Sequence, residues 1–217
     1  MEEKIKPTAE KVYELLQGLD ELLENKGLKE VDITLFGSGA VGIYSALGKY
    51  FKSRFGMENY EPVKSQELGI KGLAGYLEKN RNVSEAIKSS LRETKDLDLI
   101  VDDETLNYLS MNLNKPINVA FMEGNKYVKQ ILISINGVGV EIFSGFDLME
   151  PVMPFGMIGK INFNVIEVGE LYLMKNKLSK KNDEHAQFHE KDSQLIRDEI
   201  VYIKSGIEQP AKSLEEE

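Results

Sequence analysis

Cysteine is absent from the chain, histidine occurs only twice, and no apolar run approaches the roughly 18 residues needed to cross a bilayer. Without cysteine there is no disulfide, no thiolate metal site and no thiol nucleophile. The opening stretch, MEEKIKPTAEKVYELL, is charged and helix-like and lacks the apolar centre of a secretory signal, so the expectation is a cytoplasmic protein without membrane partners. An excess of positive charge is missing too: 27 Lys and Arg face 36 Asp and Glu, for a net charge of −9. Such a surface repels nucleic acid at long range. It still leaves room for a local basic cleft, or for a metal bridging carboxylates to phosphates.

What is present suffices for a folded body. The 217 residues are 41% hydrophobic and 29% charged, with no internal repeat. Apolar residues at Val12, Leu15, Leu16, Leu19, Leu22 and Leu23 predict a helix over 8–25, stopped by Gly27. A strand is expected over 31–36 and a helix over 40–55. The glycines and Pro62 between 56 and 80 predict an irregular segment with one short helix at 73–78, and a further helix over about 82–91. Strands are expected at 95–101, 117–121, 128–135, 138–143 and 161–166, with Asn136-Gly137 as a hairpin turn. Helices follow at 167–178 and about 184–204. This order predicts an α/β (α+β) fold with one mixed sheet flanked by helices. The expected organisation is an α/β domain over 1–166, a helical segment packed on it over 167–207, and an acidic tail over 208–217.

The stretch ITLFGSGAVGIY matches the dinucleotide fingerprint G-x-G-x-x-G at Gly37, Gly39 and Gly42. A Rossmann-type oxidoreductase needs a second parallel strand soon afterwards, carrying an acid for the ribose about 20 residues beyond. The sequence there, FGMENYEP, has acids but no apolar strand, and the later strands form hairpins. The dinucleotide reading is therefore the weakest of three.

A different constellation fits better. In KDLDLIV, Asp96 and Asp98 lie two apart on a strand, so both carboxylates project from one face. Such a pair suits a hard divalent cation. Glu141 interrupts another apolar strand, VGVEIF, where a charge needs a partner or a metal. Gly37 and Ser38 precede a helix, whose first N–H groups hold phosphates well.

The order G-S before a helix, then D-x-D, then one acid on a later strand, resembles the nucleotidyltransferase superfamily of the DNA polymerase β type. Arg92 to Leu99, RETKDLDL, looks like the R-x-T-x-D-x-D block of abortive-infection toxin-like (AbiEii-type) nucleotidyltransferases. Lys175 on a late helix, with Lys191-Asp192 further on, is similar to that group's C-terminal lysines. The separation of Ser38 from Asp96 is longer than in minimal members and implies an insertion at about 55–91. Glu141 stands where Asp is commoner. The resemblance implies transfer of a nucleoside monophosphate from an NTP to an acceptor hydroxyl, with two Mg2+ ions held by Asp96, Asp98 and Glu141. It implies phosphate binding by Gly37, Ser38, Lys175 and Lys191, with Asp192 orienting a lysine. The acceptor class it implies is RNA (tRNA 3′ ends among them), a protein or a small molecule, and a toxin would bring an antitoxin partner. The alternative is a catalytically silent binding or regulatory protein on the same fold.

Taken singly, each residue has a plainer reading. Asp96 and Asp98 could end a strand in solvent, Glu141 could be an edge-strand charge, and the glycines could form a tight turn with Ser38 as helix N-cap. Lys175 and Lys191 could lie on solvated helix faces. His185 and His189, four apart, could hold a metal with Glu184 or Asp192, but an exposed polar face explains them as well. Met149, Met153, Met157 and Met174 read as core filling or an apolar surface. Lys49, Lys52, Arg54, Lys71, Lys79 and Arg81 could form a local basic rim around the insertion.

Overall fold

A computed structural model describes residues 4–56, 62–122, 126–145, 152–181 and 185–199. The expected tail, the end of the last helix beyond Glu199, Met149 and Glu184 lie outside them. Among the described residues the chain forms seven helices and seven strands. They follow as α1 (Ala9–Asn25), β1 (Val31–Leu35), α2 (Gly37–Phe55), α3 (Pro62–Lys79), α4 (Arg81–Ser90), β2 (Asp96–Ile100) and α5 (Asp103–Leu113). Then come β3 (Asn118–Met122), β4 (Lys126–Ile135), β5 (Val138–Ser144), β6 (Val152–Ile158), β7 (Ile161–Ile166), α6 (Val168–Ser179) and α7 (Ala186–Glu199). The class is α+β, as expected from the sequence.

All seven strands join one sheet in the order β3-β4-β5-β2-β1-β7-β6. β2 runs parallel to β5, β1 runs parallel to β7, and the other neighbours are antiparallel. β1 and the next strand in the chain, β2, pair antiparallel. The topology is therefore not the repeated parallel βαβ unit of a dinucleotide fold, and the Rossmann alternative loses its structural basis.

Side chains alternate across each strand. Ile33, Leu35, Leu97, Leu99, Val140, Ile142, Phe163 and Val165 are buried and join Leu15, Leu16, Leu19, Leu23 and Phe51 of the helices in one core. The opposite face is less covered: Asp96, Asp98 and Glu141 are partly exposed, and Leu132 is 47% exposed. The C-terminal helices belong to the same core through Val168, Leu171 and Ile196. The Tyr44 hydroxyl donates to the Ile166 carbonyl at 2.9 Å and ties α2 to the end of β7.

Three segments correct the sequence reading. The irregular stretch expected over 56–80 is helix over 62–79, with a kink where Gly69 takes φ +60°. Pro62 is tolerated because it opens the helix, where its missing N–H costs nothing. Ile70, Leu73, Ala74 and Leu77 supply the buried stripe that outweighs the glycines. α5, for which the sequence reading named no element, is started by Asp102, whose carboxylate accepts from the Thr105 N–H at 2.6 Å. β6 was hidden by Pro154 and Gly156, which sit in an irregularity of its pairing with β7.

Candidate active site on the open face of the sheet

Parallel pairing of β2 with β5 sets Asp96 opposite Gly139 and Asp98 opposite Glu141. Residues in register point to the same face, so the three acids expected to act together lie on one patch of the open face. The Thr94 hydroxyl donates to Asp96 Oδ1 at 3.0 Å and steadies the first of them. The carboxyl of Asp98 is pushed up from 3.8 to about 7, chiefly by burial and then by the charges of Asp96 and Glu141. Lys175 and Arg92 pull it the other way.

The glycine segment closes over the same carboxylate. Phe36 donates its N–H to the Asp98 carbonyl at 3.2 Å, and α2 begins at once. Gly37 has φ +64°, and a side chain there would collide with the Asp98 carboxylate. Its glycine answers to both demands, a left-handed backbone and a close approach. The other two fingerprint glycines have packing reasons. A Cβ on Gly39 would lie 2.8 Å from both Leu35 Cδ1 and Leu97 Cδ1, and one on Gly42 would strike the Pro7 carbonyl oxygen. The G-x-G-x-x-G match thus arises from close packing of α2 on the strands and the N-terminal segment.

Ser38 is not the helix N-cap. Phe36 occupies that position without a side-chain cap, while the buried Ser38 hydroxyl accepts from Arg92 Nη2. Arg92 also reaches Asp192 Oδ2 through Nε at 3.3 Å, and its guanidinium lies 5.5 Å from the Phe188 ring centre. The same Asp192 oxygen accepts from Lys175 Nζ at 2.6 Å. Lys175 is 2% exposed, and burial holds its pKa below the usual lysine value against the opposing pull of Asp192. A continuous polar chain, Ser38–Arg92–Asp192–Lys175, therefore links the start of α2 to both C-terminal helices.

Five of the expected residues, Gly37, Ser38, Asp96, Asp98 and Glu141, come together at this place, and Lys175 is held nearby on Asp192. Lys191 does not join them. It is exposed, one position from buried Asp192 and so about 100° round the helix from it. Arg92 and Thr94 were missed as site residues, although both stand in the RETKDLDL block, three and two positions ahead of Lys95 and Asp96. Two polar residues just before a charged strand were the available signal.

Among the described residues no group of three or more His, Asp or Glu side chains is placed so that it could hold a metal ion as the side chains stand. The donor chemistry nevertheless fits Mg2+. Asp96, Asp98 and Glu141 are hard oxygen donors whose charges oppose one another on one face, and a divalent cation relieves that opposition. The histidine pair fits less well, because the Asp192 carboxylate is engaged by Lys175 and Arg92. No protein-family model, curated protein or solved structure matches the chain.

Proposed function

We propose that the chain is a Mg2+-dependent nucleotidyltransferase that moves a nucleoside monophosphate from an NTP to an acceptor hydroxyl. The observation that carries this reading is the register of Asp98 with Glu141 directly beside Gly37 and Ser38. Three acids suited to a divalent cation and a helix N-terminus thus share one patch, which supports transfer of a phosphoryl group. Bound Mg2+ would neutralise charge on the phosphates and favour in-line displacement.

The chain's own residues have separable tasks. Asp96, Asp98 and Glu141 would hold the two Mg2+ ions. Glu141, set on the neighbouring strand, would either hold the metal that activates the acceptor hydroxyl or take that hydroxyl's proton itself. That oxygen then bonds to the α-phosphorus, the bond to the β-phosphate oxygen breaks, and pyrophosphate leaves. The Gly37 and Ser38 N–H groups seat the β- and γ-phosphates, and Arg92 fixes the Ser38 hydroxyl while adding positive charge. Lys175 contributes from behind, through Asp192. The acceptor classes are RNA, protein or a small molecule, and a toxin role would bring an antitoxin.

A second reading, a nucleotide-binding protein without transfer, is favoured by one observation: Lys175 is already neutralised by Asp192. One experiment separates the two. The protein is incubated with Mg2+, each α-labelled NTP in turn, and total cellular RNA and protein, with Asp96→Asn/Asp98→Asn as control. Label entering a macromolecule only with the wild type supports transfer. Mg2+-dependent NTP binding without label supports the silent reading or a small-molecule acceptor, and neither label nor binding overturns both.

A further inference from the structure

A wide cleft of about 920 Å3 lies between α2, α3 and α4, on the helical side of the molecule. Arg54, Lys71, Lys79, Tyr50, Tyr76 and Asn80 line it. Its distance from the carboxylates follows from α2: Gly37 begins that helix and Arg54 sits near its other end, about 25 Å away at 1.5 Å per residue. The two places do not share a residue.

The cleft's charge is opposite to that of the chain. The protein carries −9 overall, yet the described lining holds three cations and no acid. Arg54, Lys71 and Lys79 are all exposed, so their charges face solvent. The same lining holds two tyrosines, partly buried against the core, with ring centres 4.9 Å apart and nearly perpendicular, and Tyr76 is held by a hydrogen bond to Ser53. The floor is open because α3 has glycine where a side chain would stand. A Cβ on Gly75 would meet nothing within 4 Å. Gly75 and Lys71 also line the neighbouring groove that carries Glu10, Glu14 and Glu78.

We infer that this cleft binds nucleoside phosphates, its three cations holding phosphate groups and its tyrosines contacting a base. Cations spaced along a groove with aromatic faces between them are the arrangement that holds phosphates and planar bases without reading sequence. The same chemistry is offered by a free nucleotide and by a single-stranded RNA segment. The inference goes beyond the proposed transfer and does not depend on it.

The test measures binding of a fluorescein-labelled oligoadenylate decamer, by anisotropy, and of ADP, by calorimetry, both without Mg2+. The variants are Arg54→Gln/Lys71→Gln/Lys79→Gln, which alters only exposed side chains, and Gly75→Glu, which fills the floor with an acid. Each should weaken binding at least tenfold while leaving the melting temperature near that of the wild type. Asp96→Asn/Asp98→Asn should bind as the wild type does, which separates this site from the carboxylate patch. The logarithm of affinity should fall with the logarithm of salt concentration with a slope of about −2, from three cations on a single strand. Binding of the decamer alone identifies a strand as the occupant, and equal binding of ADP identifies a free nucleotide. Binding of neither probe, or binding that the triple variant leaves intact, overturns the inference.

Discussion

Gly37 and Asp98 are in such close approach that any side chain at position 37 would overlap the Asp98 carboxylate. The contact joins the start of α2 to β2, the middle strand of the sheet. It also makes position 37 sensitive for two separate reasons, because its backbone is left-handed at φ +64°. Gly37→Ala should destabilise the fold by about 1–2 kcal/mol from the backbone alone, and by more from the overlap. Adding Asp98→Ala should return part of the loss. A double-mutant cycle by urea denaturation should therefore give a coupling of at least about 0.5 kcal/mol, and strict additivity would reject the contact.

Stability should depend on pH through Asp98. Its folded pKa, about 7, lies above its ordinary value of 3.8. The folded state therefore binds this proton more tightly, and stability falls as pH rises from about 4 through 7. Asp98→Asn should remove that slope and be the more stable protein above pH 7. Solvent screening at the partly open patch limits the difference to about 1–3 kcal/mol. Melting curves from pH 4 to 8 in chelator-treated buffer measure it, and parallel pH profiles for the two proteins would contradict the assignment.

The Lys175–Asp192 pair should be costly to break from either side. Asp192→Asn leaves a buried ammonium with only a neutral partner, and Lys175→Met leaves a buried carboxylate with Arg92 alone. Each should cost about 3–5 kcal/mol. The double variant Lys175→Met/Asp192→Leu should cost clearly less than the sum, since it removes both charges. Chemical denaturation of the three proteins decides the point.

Gly42 should tolerate no side chain, for a reason unrelated to cofactors. Gly42→Ala drives a methyl group into the Pro7 carbonyl, a backbone atom that cannot turn aside. A loss of about 1–3 kcal/mol is expected from overpacking. NAD should leave the melting temperature of the wild type unchanged, whereas a shift that Gly42→Ala abolished would restore the dinucleotide reading.

Much of this architecture was legible in local pattern. The period of two in β2 put Asp96 and Asp98 on one face, and Asn136-Gly137 marked the β4–β5 hairpin, where both take left-handed φ. The α3 stripe was obscured because glycine and proline weigh against a helix locally, while burial of Ile70, Leu73 and Leu77 favours it only once β6 and α1 are in place. Arg92 stood in a quoted motif, but its partners, Ser38 and Asp192, are 54 and 100 positions away in the chain.

From the sequence alone came the fold class, most of the strands and the identity of the three acids, because side-chain periodicity is a property of neighbouring residues. Tertiary structure decided that Asp98 stands opposite Glu141, that Ser38 is bound by Arg92 instead of capping its helix, and that Lys175 is buried on Asp192. It also gathered Arg54, Lys71 and Lys79 around one cleft whose described lining holds no acid. Those relationships depend on strand register and helix packing, which are set by burial of the whole core and not by any stretch of sequence read alone.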